Sequence, residues 1–393
     1  IPCGGTVTHT FAGTGPTSDV TWTVRSSDGY VLEYPHSKTL TVDMNRDLDG
    51  DGLCVDDPCP RHLDNSDVDG DGQCGSLNAY ILNTGDSTVS VIRVFDDTVI
   101  KTIATGSAGP HIVVSSDGEI AYLSDYTAKN FTALNTIDDS SDTYFTGTEP
   151  RGVALSPNGA YLYVTKYYGH AIAVYRVSDM AQVAETRVRP SISYPYPYSV
   201  AASPDGSRLY VTNNNNSSVS VIRTLDYKEI DVVSVGSRPQ AVTVSPDSAF
   251  VYVGNNNSNT VSIIQASDNT VVNTINVGAS PVGLAVSPDG GYLYVTNHNS
   301  NTVSKINLAT YQVTNIAVSK PYGISLTPDG SKAYVTNYTD NTVTVIRTSD
   351  NSTSVIDIAP GGETRNPVSL GKFIPSVDPG QVHPDITVTD SVF

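Results

Sequence analysis

Aspartates at alternate positions mark one short stretch of this 393-residue chain as a place that could hold a metal ion. Residues 47 to 75 read DLDGDGLCVDDPCPRHLDNSDVDGDGQCG and contain two D-x-D-G-D-G runs and three of the four cysteines. Alternating oxygen ligands, with glycines that allow a tight turn, suit a six- to eight-coordinate Ca²⁺ ion. In an EF-hand a glutamate at the twelfth position completes the shell. Here that position is Pro58 or Asn78, so the motif is not an EF-hand.

The first run resembles the thrombospondin type 3 calcium repeat, in which D-x-D-G-D-G is followed by Cys, an acidic pair and C-P. DLDGDGLCVDDPCP matches that pattern, although it is one residue shorter between its cysteines. The alternative is a solvated acidic linker, in which ten aspartates between 43 and 75 would repel one another without cations. The expected calcium ligands are Asn45, Asp47, Asp49, Asp51, Leu53, Asp56, Asp57, Asp64, Asp67, Asp69, Asp71 and Gln73.

The four cysteines are Cys3, Cys54, Cys59 and Cys74. Three of them crowd beside acidic loops without a C-x-x-C pair, which favours disulfides in an oxidising compartment over a zinc site. The sequence leaves open which of the three possible connectivities occurs. We therefore expect an extracellular or cell-surface protein.

Charge and hydropathy limit the partners of the chain. Lys plus Arg number 22 against 40 for Asp plus Glu, which gives a formal charge of −18. Such a chain repels nucleic acid and anionic lipid. No run of 18 or more apolar residues is present, so we expect no membrane span.

A repeat near 42 residues sets the fold class. Each copy contains four short runs rich in β-branched residues, separated by an S-P-D-G turn or an Asn-rich turn. The proline before the first run occurs seven times, at Pro110, Pro150, Pro197, Pro239, Pro281, Pro321 and Pro367. Four strands repeated seven times predict an all-β, seven-bladed β-propeller over residues 77–374. Its last first-run strand, from 368, should complete the first blade and close the ring.

The Y-V-T-N signature recurs at residues 210–213, 294–297 and 334–337. It resembles the YVTN family of propellers, which includes archaeal surface-layer proteins and many secreted bacterial proteins. The resemblance implies a surface or secreted protein and says less about activity.

The residue after each proline should lie at the mouth of the central channel. This ring contains His111, Arg151, Tyr198, Gln240 and Tyr322, together with two valines. A propeller hydrolase or lyase would need several histidines and carboxylates there. Because the ring offers one histidine and no carboxylate, we expect no catalytic residues, and rim packing or binding of a small polar ligand.

The loops offer two further expectations. Aromatic residues in KYYGH (166–170) and SYPYPYS (193–199) could bind sugar or a partner surface, or could only stiffen a long loop. Six asparagines stand in N-x-S/T sequons and are candidate glycosylation sites. They are Asn130, Asn215, Asn216, Asn256, Asn337 and Asn351.

The ends of the chain look incomplete. Residues 1–43 form a small β module with four candidate strands, fewer than an immunoglobulin-like sandwich needs, and 44–76 form the calcium linker. The tail, 375–393, carries one alternating strand that could complete this module, within one chain or in the next. The expected donor residues are Ile386, Val388, Val392 and Phe393.

Together these features predict a secreted, non-enzymatic structural protein with calcium as its cofactor. Its partner would be itself, as a head-to-tail filament, or other surface proteins and glycans. A carbohydrate- or protein-binding adhesion propeller is the alternative, and a lactonase- or lyase-like enzyme is the third.

Overall fold

The computed structural model describes residues 6–10, 21–25, 31–35, 39–43, 77–106, 109–116, 118–188, 194–360, 367–370 and 374–375. It divides into two compact units, one of which comprises Leu77–Ile374. The other contains two short antiparallel pairs in its described residues. Their strands are β1 (Thr6–Thr10) with β4 (Thr39–Asp43), and β2 (Thr21–Arg25) with β3 (Val31–Pro35).

The larger unit consists of seven antiparallel sheets, as the repeat predicts. The innermost strands are β8 (Ile112–Val114), β12 (Pro150–Leu155), β16 (Pro197–Ala202), β20 (Pro239–Val244), β24 (Pro281–Val286), β28 (Pro321–Leu326) and β32 (Pro367–Leu370). The second strands are β5 (Leu77–Asn83), β9 (Ile120–Asp125), β13 (Tyr161–Lys166), β17 (Arg208–Asn213), β21 (Phe250–Asn255), β25 (Tyr292–Asn297) and β29 (Lys332–Asn337).

The two outer strands of each sheet follow in the same order. The third strands are β6 (Thr88–Arg93), β10 (Asn130–Asn135), β14 (Ala171–Arg176), β18 (Ser218–Arg223), β22 (Thr260–Gln265), β26 (Thr302–Asn307) and β30 (Thr342–Arg347). The outermost strands are β7 (Thr98–Ala104), β11 (Ser141–Phe145), β15 (Gln182–Arg187), β19 (Lys228–Ser234), β23 (Thr270–Asn276), β27 (Val313–Ala317) and β31 (Thr353–Asp357). A 3₁₀ turn, His298–Ser300, precedes β26.

The sheets form a closed ring, because each innermost strand packs against the innermost strands of both neighbouring sheets. We number the blades so that blade 1 contains β5–β7, blade 2 contains β8–β11, and blade 7 contains β28–β31. Blade 1 is completed by β32, which pairs antiparallel with β5, and a short strand β33 (Ile374–Pro375) also pairs with β5. The predicted seven-bladed propeller and its closure by the last first-run strand are both confirmed.

The hydrophobic core lies between the blades. One cluster joins Leu82 and Val89 of blade 1 to Ile112 and Leu123 of blade 2, and similar clusters follow around the ring. The alternation of the sequence explains this, since each pleated strand presents side chains to both neighbouring blades. Outermost strands are mostly exposed, as in β11.

The asparagine of the Y-V-T-N signature fastens the second strand of a blade to the third. In blade 7 the buried amide of Asn337 donates to the hydroxyls of Thr342 at 2.8 Å and Thr344 at 2.7 Å. The same pattern recurs in four other blades. Blades 2 and 3 differ, with Asp125 and Lys166 at this position. The signature is therefore a structural feature of the fold.

Candidate functional site

The chemically most varied side chains of the propeller meet at one face, around the mouth of the central channel. The innermost strands begin at this face, and the turns between second and third strands return to it, because strands alternate in direction within each blade. Two rings of residues result. The inner ring is the one predicted from the prolines, and the outer ring contains the first residue after each second strand.

Arg151 is the centre of the inner ring. Its guanidinium carbon lies 4.3 Å from the ring centroid of Tyr198, 4.9 Å from Tyr167 and 5.0 Å from Tyr126. These distances are within the range of cation–π interactions. In the described part of the chain no carboxylate lies within 4.0 Å of it, and its Nε is buried without a hydrogen-bond partner.

A glycine beside Arg151 allows the blades to approach closely here. A Cβ on Gly152 would lie 2.8 Å from the Cα of Ser199 and 2.8 Å from the carbonyl oxygen of Tyr198. The Gly152 amide instead donates to Thr165 Oγ1 at 2.7 Å. This contact between blades 3 and 4 brings Tyr198 against Arg151.

Tyr198 and Tyr322 bridge the channel. They begin β16 and β28, three blades apart, yet their phenols interact. The nearby Tyr198 phenol, followed by burial, raises the pKa of Tyr322. Tyr322 therefore keeps its proton at neutral pH, and its single O–H donates towards Tyr198.

His111 lies beside the same arginine. Burial first, and then the charge of Arg151, lowers its pKa to about 4. Its ring meets that of Tyr198 edge-on, with centroids 6.3 Å apart. The imidazole is consequently neutral at neutral pH.

The outer ring is not predicted as a ring from the sequence, although Tyr167 lies in the predicted aromatic loop 166–170 and Asn256 in a predicted sequon. Its seven members are Thr84, Tyr126, Tyr167, Asn214, Asn256, His298 and Tyr338. They follow the Y-V-T-N position directly, so the register of the repeat could have identified them.

His298 is anchored in this outer ring by its Nδ1, which lies 3.1 Å from the carbonyl oxygen of Pro321 in the next blade. A carbonyl only accepts, so Nδ1 carries the proton and Nε2 is left as the acceptor. Asn214 and Asn256 donate in the same way to the proline carbonyls of their next blades. The His298 ring contacts Tyr322 and Tyr338, with centroids at 5.7 Å and 6.2 Å.

The two predicted aromatic loops extend the mouth outward at blades 3 and 4. Tyr167 stacks on Tyr196 with centroids 4.9 Å apart, and Tyr194 stacks on Tyr196 at 6.4 Å. His170 contacts both Tyr194 and Tyr196. Tyr194 is 66% exposed, so this aromatic surface is open to a ligand.

Gln240, the remaining predicted member of the inner ring, is partly exposed in blade 5. The side chains that converge are those of Arg151, Tyr198, His111 and Tyr322. Gln240 and its inner-ring neighbour Val282 lie on the side of the mouth without charged or aromatic inner-ring residues. The site is therefore concentrated on blades 2 to 4 and on blades 6 and 7.

The predicted calcium ligands, the four cysteines and the donor residues of the tail lie outside the described residues, and these assignments stay predictions. Within the described residues no group of three His, Cys, Asp or Glu side chains is arranged to hold a metal ion. The described residues also contain no helix that is long and apolar enough to cross a membrane.

The sequons differ in accessibility. Asn337 is 2% exposed, and its side-chain nitrogen, which a glycan would occupy, donates two hydrogen bonds. Asn215 is exposed, and the other four are partly exposed. Glycosylation of these five stays a prediction.

A cleft of about 420 Å³ lies on the opposite face, between blades 5 and 6. It is lined by turn residues such as Asp247 and Asp289 and by the rings of Phe250, Tyr292 and Tyr311. Its lining has no histidine or basic side chain, in contrast to the channel mouth with His111, Arg151 and His298.

Fold and site define a propeller with an aromatic and basic channel mouth. The sequence profile of the virginiamycin B lyase family matches residues 98–361, about two thirds of the chain. The chain belongs to this family. Among curated proteins, none matches.

Solved structures share the fold at low identity. A catalytically inactive histidine-to-alanine variant of Staphylococcus aureus virginiamycin B lyase with quinupristin is 18% identical, with a TM-score of 0.57, and the match covers 72% of this chain and 89% of that one. A proposed 6-phosphogluconolactonase of Bacteroides fragilis is 17% identical, with a TM-score of 0.62 and coverage of 76% and 98%. Hydrazine synthase of Kuenenia stuttgartiensis is 21% identical, with a TM-score of 0.56 and coverage of 61% and 77%.

The family match corrects two expectations. The prediction of a non-enzymatic structural filament subunit is wrong, and so is the prediction that the protein is not an enzyme, because the family is named for a lyase. The sequence reasoning counted one residue per blade and so overlooked the outer ring, which supplies His298 and Tyr338. A propeller of YVTN type is compatible with these matches, whereas calcium binding, disulfides and a surface location stay predictions.

Proposed function

We propose that this protein is a lyase that opens a cyclic ester at the channel mouth, with His298 as the base. The observation that carries the proposal is the fixed tautomer of His298, which leaves Nε2 free to accept a proton at a mouth lined by phenols. Membership of the lyase family supports elimination as the reaction type.

Elimination from an ester needs a base and no water. Nε2 of His298 would take a proton from the carbon adjacent to the one that bears the ester oxygen. The electron pair of that C–H bond forms a C=C bond, the alkyl C–O bond breaks, and the ester leaves as a carboxylate. The ring opens, and the proton stays on the imidazole until it is released to solvent.

The phenols of Tyr322 and Tyr338 flank the base and can orient the substrate. Their rings are 5.6 Å apart and tilted by 34°, and both contact His298. Tyr322 stays protonated, and its hydroxyl would turn from Tyr198 to donate to the ester carbonyl as negative charge develops there. His111 is the weaker candidate for the base because its lowered pKa reduces its proton affinity.

The products distinguish this reaction from hydrolysis. The protein would be incubated with quinupristin, with virginiamycin B and with a sugar lactone, and the products would be analysed by mass spectrometry. Elimination gives a ring-opened product of unchanged mass that carries a new double bond, whereas hydrolysis gives a product heavier by one water. A hydrolysed product would show that the protein is a lactonase and not a lyase. If all three substrates remain unchanged, the proposal is refuted.

A further inference from the structure

We propose that Arg151 forms an anion-binding subsite at the channel mouth that takes a carboxylate or phosphate group. The assignment of that anion to the substrate rests on the proposed lyase function, whereas anion binding itself does not. The inference depends on the guanidinium and its surroundings.

Arg151 differs in its partners from three arginines of the outer strands, which each pair with a carboxylate. Arg93, Arg176 and Arg223 each pair with an aspartate three residues later, at 2.5 to 3.1 Å. Arg151 is surrounded on three sides by tyrosine rings, and no carboxylate of the described residues lies within 4.0 Å. A partly buried charge that lacks a counter-ion is costly, which suggests that the arrangement serves a ligand.

The tyrosine rings offset part of the cost of the guanidinium charge and leave its hydrogen-bond donors open. Ring faces attract a cation, but they offer no acceptor in the plane of the guanidinium. The Nε of Arg151 is buried without a partner. A planar fork of N–H donors matches the geometry of carboxylate and phosphate, which bind it with two parallel hydrogen bonds.

The groups around Arg151 favour an anion. His111 is neutral because burial and the charge of Arg151 lower its pKa. The nearest acidic residue in sequence, Glu149, is held by Lys129 at 3.1 Å. Burial raises the pKa of Tyr167, and the charges of Arg151 and Arg238 oppose that rise. The exposed Arg238 is therefore a second positive charge near the same aromatic cluster.

This positive mouth contrasts with the charge of the whole chain, which is −18. The net negative charge of the chain would repel an anionic substrate, whereas the guanidinium of Arg151 would attract it. In a cyclic ester, the group that Arg151 binds would be a carboxylate or phosphate substituent, or the carboxylate that the elimination releases. Arg151 would thus select the substrate class, whereas His298 would perform the proton transfer.

Anion binding can be measured without turnover. We would titrate the full chain with inorganic phosphate and, separately, with acetate by isothermal calorimetry at low salt, where charge interactions are least screened. The variants are Arg151→Gln, which removes the charge, and Arg223→Gln as the matched control, because Arg223 is already paired with Asp226 at 2.7 Å. Arg151→Lys retains the charge and loses the fork.

The wild-type protein and Arg223→Gln should bind equally, whereas Arg151→Gln should bind about tenfold to a hundredfold more weakly, as expected for charged hydrogen bonds. Tighter binding of phosphate would identify a phosphorylated ligand, and tighter binding of acetate a carboxylate. Equal binding by all variants, or no binding by wild type, would overturn the inference. If Arg151→Gln fails to fold, Arg151→Lys provides the test. The folded Arg151→Lys variant should bind the anion more weakly than the wild-type protein, and equal binding would overturn the inference.

The two proposals fail separately. If the protein opens a cyclic ester but anion binding does not depend on Arg151, the proposed lyase function stands and the proposed subsite is refuted. If anions bind in an Arg151-dependent way but the protein opens no cyclic ester, the proposed subsite stands and the proposed lyase function is refuted.

Discussion

Replacement of His298 by asparagine should separate its structural role from its catalytic role. Asn214 and Asn256 occupy the equivalent position in blades 4 and 5, and their amides donate to proline carbonyls at 3.3 Å and 3.4 Å. An asparagine at 298 can therefore make the bond that His298 Nδ1 makes to Pro321. It has no nitrogen that could act as a base at neutral pH.

The stability cost of His298→Asn comes from two ring contacts, with Tyr322 and Tyr338. Aromatic pairs contribute about 0.5–1.5 kcal/mol each beyond buried area, so the loss should be about 1–3 kcal/mol. His298→Ala loses the same contacts and also leaves the Pro321 carbonyl without its donor, which adds about 1–3 kcal/mol. His298→Asn should therefore be the more stable variant in urea unfolding.

The activities should follow a different order. Loss of a general base lowers the rate by about 10²–10⁴-fold, so both variants should lose ring-opening activity to that extent. The assay is kcat/KM for ring opening of a cyclic ester, measured beside urea unfolding of each variant. A His298→Asn variant with nearly wild-type kcat/KM would refute the assignment of the base.

Three further predictions concern other parts of the chain. Gly152→Ala should destabilise the propeller by about 1–3 kcal/mol because the added Cβ would clash with blade 4. In the control Gly254→Ala the nearest contact of the added Cβ is an ordinary 3.5 Å, so only Gly152→Ala should lower the midpoint of thermal unfolding clearly. His111 should titrate near pH 4 by NMR. The free energy of unfolding should fall as the pH decreases from about 6.5, the pKa of the unfolded chain, towards 4, because the unfolded chain binds the proton first. A rise of the His111 pKa in Arg151→Gln would confirm the influence of the Arg151 charge, and an unchanged pKa would contradict it. The segment 47–75 should bind Ca²⁺ in equilibrium dialysis, and substitution of its aspartates by asparagine should abolish this; equal binding by the substituted protein would place the ion elsewhere.

The fold could be predicted because the repeat is regular at every level. The proline before the first strand, the S-P-D-G turn and the Y-V-T-N signature recur in register, and each has a structural role. The asparagine of that signature, as in Asn337, donates to two hydroxyls of the next strand. Local chemistry and global pattern agree, which is the condition for reading a fold from one sequence.

The site could be predicted only in part. The sequence predicts Arg151, Tyr198 and Tyr322 because they follow prolines in register. The contacts of Arg151 with Tyr126 and Tyr167 could not be predicted, because these residues come from the turns of other strands and meet Arg151 only when the ring closes. The shared proline-carbonyl bond of the outer ring also depends on contacts between blades, which no local pattern shows.

The most direct test of the catalytic site is the position of a bound substrate. Crystals of the His298→Asn variant would be soaked with quinupristin, and the electron density examined at both faces of the propeller. The structure predicts density at the channel mouth, with an ester of the ligand beside residue 298 and the ligand in contact with Tyr322. Density in the cleft between blades 5 and 6, on the opposite face, with an empty channel mouth, would contradict this account.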